Sequence, residues 1–346
     1  MYVLCAGMYR ACSTWQYEVI THLLDKHRRG ERLGYLTGEE FASRYRTGPH
    51  PTSWCVLKSH EGDRSFARAI AEGQATTVYA YRDIRDVVFS LMHKRGVTFE
   101  QLVRQGMIHQ ILVNDRFWSR QPGTIVQSYE KLVADPVTGV LELAAHLGLT
   151  INQTEAAEVA GEYSFQTNRR RTLELVERLR SQGVDLNDPS NLQYYDQKTL
   201  LHWNHLREGR PGNWRTHATP EQRAVLSRLC DDWLVAHGYE ADTLDPAAPH
   251  TNANRLQREY ELARAWLACA LRCASLDHPR IARTVKRVLG ISTRSTAAVP
   301  ARPQTHVRID AAQDEASGPS EIASSKLGQP TPSVPVARSG SVVNDA

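Results

Sequence analysis

The chain opens with the apolar run MYVLCA and passes at once into GMYRACSTWQYEVI, residues 7–20. The apolar run reads as a buried strand, the glycine as a turn, and the residues from about Ser13 onward as a helix. A strand that feeds a helix in this way belongs to a crossover, and crossovers build parallel sheets covered by helices. The pattern continues downstream, where SWCVLKS, TTVYAYR and GTIVQSY are short candidate strands separated by helical patterns. One of the intervening helices has legible ends: Asp135 as N-cap, Pro136 at the first position, Val140, Ala144 and Leu147 on the buried face, and Gly148 as the stop. The expected fold is α/β over residues 1–240, three layers around a central parallel sheet.

Composition changes beyond that point. Residues 254–275 carry apolar side chains at Leu256, Tyr260, Ala263, Leu267, Ala270 and Ala274, a helical stripe that predicts a helical extension over 252–290. From 292 to 346 Ser, Pro, Ala and Gly dominate without periodicity, the composition of a disordered tail. That tail holds five Lys/Arg and five Asp/Glu, so the net charge of +4 belongs to the preceding residues. So mild an excess argues against nucleic acid and fits a few cations focused on an anionic small molecule. No apolar stretch reaches the roughly 18 residues of a membrane span, and no basic segment or cleavage site precedes the first strand, which predicts a cytoplasmic protein. The basic stretch 280–289 is expected to pack on the domain in preference to a membrane, being only two or three turns long. The six cysteines (5, 12, 55, 230, 269 and 273) lack C-x-x-C spacing and read as reduced thiols, and no ligand cluster predicts a metal.

The first turn carries chemistry as well as topology. GMYRACST follows a phosphate-binding loop, G-x-x-x-x-G-K-[ST], except that Cys12 stands for the second glycine and Ser13 for the lysine. A helix starting near Ser13 still aims backbone N–H groups at an anion, with the Ser13 and Thr14 hydroxyls as further donors. Without the lysine that reaches β- and γ-phosphates, the turn suits a ligand with a single phosphate here. Arg10 is the cation within the loop, and Trp15 is positioned to stack on a base. By itself the stretch is read equally well as two cap residues and a core tryptophan. In TTVYAYRDIRDVVFSL, Arg82 ends a strand and Ser90 sits on the next helix, a place where a second phosphate can be held. An Arg82 paired with Asp83 or Asp86 is the simpler reading of that segment alone.

Four ordered segments together resemble the sulfotransferases that use 3′-phosphoadenosine 5′-phosphosulfate, PAPS. YRACSTW is similar to their first loop, P-K-S-G-T-T-W; RDIRDVVFS matches R-N-P-R-D-V-x-x-S; SYEKLVADP matches Y-E-D-L-x-x-D-P; and REGRPGNW, residues 207–214, matches R-K-G-x-x-G-D-W. The resemblance implies that Arg10, Ser13 and Thr14 contact the 5′-phosphosulfate and that Trp15 stacks on adenine. It implies further that Arg82, Ser90, Arg207 and Gly209 hold the 3′-phosphate, and that Phe165 covers the other adenine face. It also explains the missing lysine, since PAPS has no γ-phosphate.

The same resemblance locates catalysis at CVLKSHEG, in register with the family's K-T-H. His60 is the expected base for the acceptor hydroxyl, with Lys58 and Arg10 opposing charge on the transferring oxygens and Glu61 as reserve base. Two departures bear on the donor: Cys12 adds a side chain in the loop, and Glu208 replaces a lysine at the 3′-phosphate turn. The acceptor, a small molecule, glycan or lipid with a hydroxyl, is expected among residues 35–46, 97–118 and 168–203, where Arg169, Arg170 and Arg171 either favour an acidic acceptor or form a solvated helix start. Two other functions share the first loop: a P-loop small-molecule kinase, which needs a lysine and magnesium ligands missing from GMYRACSTW, and a nucleotide-binding module without catalysis.

Overall fold

The structure is a computed structural model that describes residues 1–47, 51–204, 206 and 209–241, with 260, 263, 267 and 284 besides. All of them fall in one unit, Met1–Val299; a second unit, Pro300–Ala346, lies outside the described residues, and so does the predicted tail. Tyr260, Ala263 and Leu267 are helical, as the apolar stripe predicts, but Tyr260 and Leu267 are more than half exposed; the rest of that stripe lies outside the described residues.

Five strands form one parallel sheet in the order β2-β3-β1-β4-β5: β1 Tyr2–Gly7, β2 Gly30–Tyr35, β3 Trp54–Ser59, β4 Ala75–Tyr81 and β5 Ile125–Ser128. The sequence reading anticipates four of them and omits β2. GERLGY has two glycines and two charges, and its residues are half-buried, so it lacks the apolar run that announces a central strand. As an edge strand it pairs on one side only, with a register shift between Arg32 and Gly34.

The helices are α1 Ser13–His27, α2 Gly38–Thr47, α3 Arg64–Ala71, α4 Ile84–Arg95, α5 Phe99–Arg104, α6 Met107–Ser119, α7 Tyr129–Ala134, α8 Pro136–His146, α9 Gln153–Glu162, α10 Phe165–Ser181, α11 Trp214–His217 and α12 Pro220–Ala236. β1 shows why they cover both faces. Tyr2, Leu4 and Ala6 point into a core with α2 to α6 and α12, whereas Val3 and Cys5 point into a core with α1, α8 and α9. Both sets are fully buried, the continuous apolar signature of a strand covered on both faces. The ends of α8 follow the sequence reading: Asp135 accepts from Thr138 N–H, Pro136 opens the helix, and Gly148 sits just beyond it at φ 65°.

Candidate active site

At the carboxyl edge of the sheet β1 and β4 are neighbours whose outgoing connections lead to opposite sides, β1 toward β2 and β4 toward β5. Ligands of open α/β sheets bind at such a point. Gly7 ends β1 there, and a Cβ on it would lie 2.7 Å from Ser13 Cβ and 3.1 Å from the Ala80 carbonyl, so only glycine lets the turn fold back this closely. Arg10 and Cys12 take φ values of 66° and 70°. Cys12 thus adopts the left-handed conformation that a glycine would supply, which is how the loop accommodates the substitution. The first turn of α1 contains no acidic residue, so no carboxylate competes for its positive end.

Side chains from β3 and α4 converge on this turn. Lys58 Nζ donates to Thr14 Oγ1 at 2.8 Å. His60 Nδ1 lies 2.8 Å from the Gly7 carbonyl oxygen; since that oxygen only accepts, Nδ1 carries the proton and Nε2 bears the lone pair. Trp118 Nε1 donates to the His60 carbonyl at 3.0 Å, fixing the backbone beneath the ring. Arg10 Nε donates to Ser90 Oγ at 2.9 Å, linking the turn to α4. Burial, then the Arg10 charge, lowers the Lys58 pKa to about 7; burial, then Lys58, lowers that of His60 to about 3. The His60 imidazole is therefore neutral at pH 7. Glu61 accepts from Gln110 Nε2 at 3.0 Å and from the Tyr9 hydroxyl at 3.5 Å.

A second pole lies beyond Arg10. Arg82 is only 7% exposed; it donates to the Arg10 carbonyl at 3.4 Å and to the Arg210 carbonyl at 3.2 Å, and its guanidinium lies 4.1 Å over the Tyr129 ring. Its Nε is a buried donor without a protein partner. Arg82 also pairs with Asp86 at 3.2 Å, so the simpler sequence reading holds in part, while Asp83 pairs with Arg85 at 2.8 Å. Asp86 in turn accepts from Gly212 N–H at 2.7 Å and Trp214 N–H at 2.9 Å, which seats the fourth motif beside Arg82. Gly209 has φ 67°, its carbonyl accepts from the Tyr129 hydroxyl at 2.6 Å, and a Cβ on it would lie 2.9 Å from the Phe165 ring. Arg207 and Glu208 lie outside the described residues. Trp15 is half-buried, with α8 beneath it: a Cβ on Gly139 would lie 3.3 Å from its ring. The structure thus gathers Arg10, Ser13, Thr14, Lys58 and His60 around one turn, and Arg82, Gly209 and Phe165 around another, with Ser90 bonded to Arg10 between them.

Several neighbours escape the sequence reading. Lys94, one helical turn beyond Ser90 on α4, donates to Asn204 Oδ1 at 2.9 Å and to the Leu192 carbonyl at 3.5 Å. Its spacing from Ser90 is the signal that would have found it, since residues four apart share a helix face. Tyr9 lies 4.6 Å and Tyr35 5.9 Å from the His60 ring, and Tyr195 lies 5.2 Å from His202. Of the segments expected to build the acceptor site, Tyr35, Gln110 and Trp118 lie beside His60 or Glu61, and Tyr195 packs on His202. Arg170 instead pairs with Glu174 at 3.7 Å along α10, and Arg171 with Glu162 of α9 at 2.7 Å. Among the described residues no group of three or more His, Cys, Asp or Glu is gathered to hold a metal, and no helix is long and apolar enough to cross a membrane.

The profile of the sulfotransferase domain family matches residues 3–238, well over half of the chain. The chain belongs to that family. Sulfuryl transfer is the chemistry its members perform, which sets aside the kinase reading. A solved structure agrees on the fold of this sulfotransferase, and another is similar to it. The crystal structure of retinol dehydratase in complex with androsterone and the inactive cofactor PAP is 16% identical with a TM-score of 0.50, covering 71% of this chain and 83% of that one. Mouse sulfotransferase SULT7A1 complexed with PAP is 14% identical with a TM-score of 0.48, covering 76% of this chain and 88% of that one. No curated protein matches the sequence.

Proposed function

We propose that this sulfotransferase moves the sulfuryl group of PAPS to a hydroxyl of a small molecule, glycan or lipid by in-line transfer. The observation that carries the reading is the 2.8 Å bond from Lys58 Nζ to Thr14 Oγ1, which brings the cation of the K-x-H strand onto the first turn of α1. In this reading the 5′-phosphosulfate lies against that turn, held by Arg10, Ser13 and Thr14. The 3′-phosphate lies at Arg82, Ser90, Arg207 and Gly209, where the buried Arg82 Nε is a donor ready for an acceptor oxygen. Trp15 and Phe165 flank adenine.

His60 Nε2 takes the acceptor's hydroxyl proton as the acceptor oxygen bonds to sulfur and the bond from sulfur to the bridging phosphate oxygen breaks. Lys58 and Arg10 oppose the charge that gathers on that leaving oxygen, so PAP departs paired with cations. A hydrogen bond from Nδ1 to the Gly7 carbonyl holds the ring in the required tautomer. The androsterone and retinol found with retinol dehydratase are small hydroxyl compounds beside which aromatic walls such as Tyr9 and Tyr35 are suitable partners. Cys5, Cys12, Cys55 and Cys230 are free thiols, which favours a reducing compartment, the cytoplasm. No role in this chemistry is assigned to residues 252–346. Transfer of labelled sulfate from PAPS to a panel of phenols, alcohols and glycans tests the reading; PAP binding without transfer to any of them favours the non-catalytic module.

A further inference from the structure

Beyond the donor cations, Lys94 and Arg95 are two further positive residues in the last turn of α4. Lys94 is half-buried and donates to two neutral acceptors: the Asn204 side-chain oxygen at 2.9 Å and the Leu192 carbonyl at 3.5 Å. The Arg95 guanidinium lies 5.6 Å over the Tyr9 ring, and that ring lies 4.6 Å from His60, so Arg95 is one ring away from the proposed base. His202, half-buried against Tyr195, belongs to the same segment as Asn204. α4 runs from the Arg82 pole past Ser90, so Lys94 stands a full turn farther from the proposed 3′-phosphate site than Ser90 does, on the side of residues 192–204.

We propose that Lys94 is a specificity-determining residue that takes a compact anion, a carboxylate, carried by the acceptor beside its hydroxyl. The inference rests on the transferase reading for the position of the hydroxyl, not for the existence of the anion subsite. The electrostatics fit. Burial, then Arg10, Lys58 and Arg95, lowers the Lys94 pKa to about 6, so its principal charged neighbours repel its proton and an acceptor carboxylate would restore its charge. Asn204 Nδ2 also donates to the Lys94 carbonyl at 3.4 Å, so the side chain is held in place by a reciprocal pair. Arg170 and Arg171 are no rivals for this role, since both already have carboxylate partners.

Calorimetric titration of the PAP-loaded full chain tests the subsite without requiring turnover. Three matched pairs serve as probes: 4-hydroxyphenylacetate, 12-hydroxydodecanoate and glucuronate, each against its primary amide. At least one acid is expected to bind roughly tenfold more tightly than its amide, the size of one charge-assisted hydrogen bond. Lys94→Met brings that ratio to near one, and Lys94→Arg keeps most of it, both with cooperative thermal transitions. Acids and amides binding alike in all three pairs, or a preference that survives Lys94→Met, overturns the proposal. If labelled sulfate reaches none of the probes while the Lys94-dependent preference persists, the transferase reading fails and the subsite stands.

Discussion

Arg82 and Asp86 form an ion pair, Nη2 to Oδ2 at 3.2 Å, in which the acid also accepts from the backbone N–H groups of Gly212 at 2.7 Å and Trp214 at 2.9 Å. One buried carboxylate thus neutralises the guanidinium and fastens the 209–214 turn beside it. Replacing it by alanine leaves a buried cation without its partner and two N–H groups without acceptors. Asp86→Ala is expected to destabilise the protein by about 3–5 kcal/mol, the usual cost of breaking a buried pair. Denaturant unfolding measures this, and a loss below about 1 kcal/mol contradicts the role assigned to Asp86.

Arg82, besides neutralising Asp86, should read the ligand, and its variant is therefore compared with its own ligand-free melting temperature. If its guanidinium holds a 3′-phosphate, 3′,5′-adenosine bisphosphate raises the melting temperature of the wild type well above the effect of 5′-AMP. Arg82→Ala then lowers the effect of the bisphosphate to about that of 5′-AMP, a loss of about 1.5–3 kcal/mol for each charge-assisted bond removed. Equal protection of the wild type by both nucleotides removes the second phosphate site.

Lys58 makes donor binding depend on pH. In the free protein burial and the Arg10 charge lower its pKa to about 7, and an anionic donor favours the charged form and raises that value. A group whose pKa rises on binding contributes fully below its free value and loses that contribution as pH climbs through its bound value. Affinity for 3′,5′-adenosine bisphosphate is therefore expected to be highest at pH 6 and to weaken from pH 7 to 9, with proton uptake visible as a buffer-dependent heat. Lys94, lowered to about 6, acts in the same direction. Lys58→Met should flatten the profile; a wild-type affinity constant across this range disproves the linkage.

The two poles were legible in the sequence because each follows a strand with a clear apolar run: MYVLCA before Arg10, CVLKS before His60, TTVYAY before Arg82. β2 was not, because an edge strand has only one partner and GERLGY needs no continuous apolar face. Asp86 was visible only as a possible partner of Arg82; its two bonds to Gly212 and Trp214 join residues more than a hundred positions apart, which no local pattern encodes. Lys94 and Asn204 meet for the same reason, through the return of the segment after α10 to α4. Tyr129 sat inside a quoted motif, yet its bond to the Gly209 carbonyl appears only once the fourth motif folds onto it.

Cys12 gives a test of loop strain. Its φ of 70° costs a side-chain-bearing residue about 1–2 kcal/mol that glycine does not pay. Glycine's greater freedom in the unfolded chain offsets roughly 0.5–1 kcal/mol of that. Cys12→Gly should therefore stabilise the protein by up to about 1 kcal/mol, a rise of about 1–4 °C in Tm for a domain of this size. Cys12→Val should lower Tm, since a β-branched residue tolerates positive φ poorly. A lower Tm for the glycine variant shows that the Cys12 side chain contributes packing that outweighs its strain.

The choice of base turns on what each candidate's free atoms can do. His60 donates from Nδ1 to the Gly7 carbonyl and keeps Nε2 bare, and its pKa of about 3 in the free protein leaves the ring neutral across the working range. Glu61 Oε1 is engaged by two donors, Gln110 at 3.0 Å and Tyr9 at 3.5 Å. His60→Ala is thus expected to lower kcat by roughly 10² to 10⁴ while donor affinity stays near that of the wild type, and Glu61→Gln to lower kcat far less. Because kcat/KM for the donor reports the free enzyme, its acid limb should lack the ordinary imidazole midpoint near 6.5. Steady-state kinetics on both variants decides the matter. Full turnover by His60→Ala with loss in Glu61→Gln moves the base to the carboxylate, and a wild-type acid limb centred on 6.5 shows that burial and the Lys58 charge do not hold the ring in its neutral form.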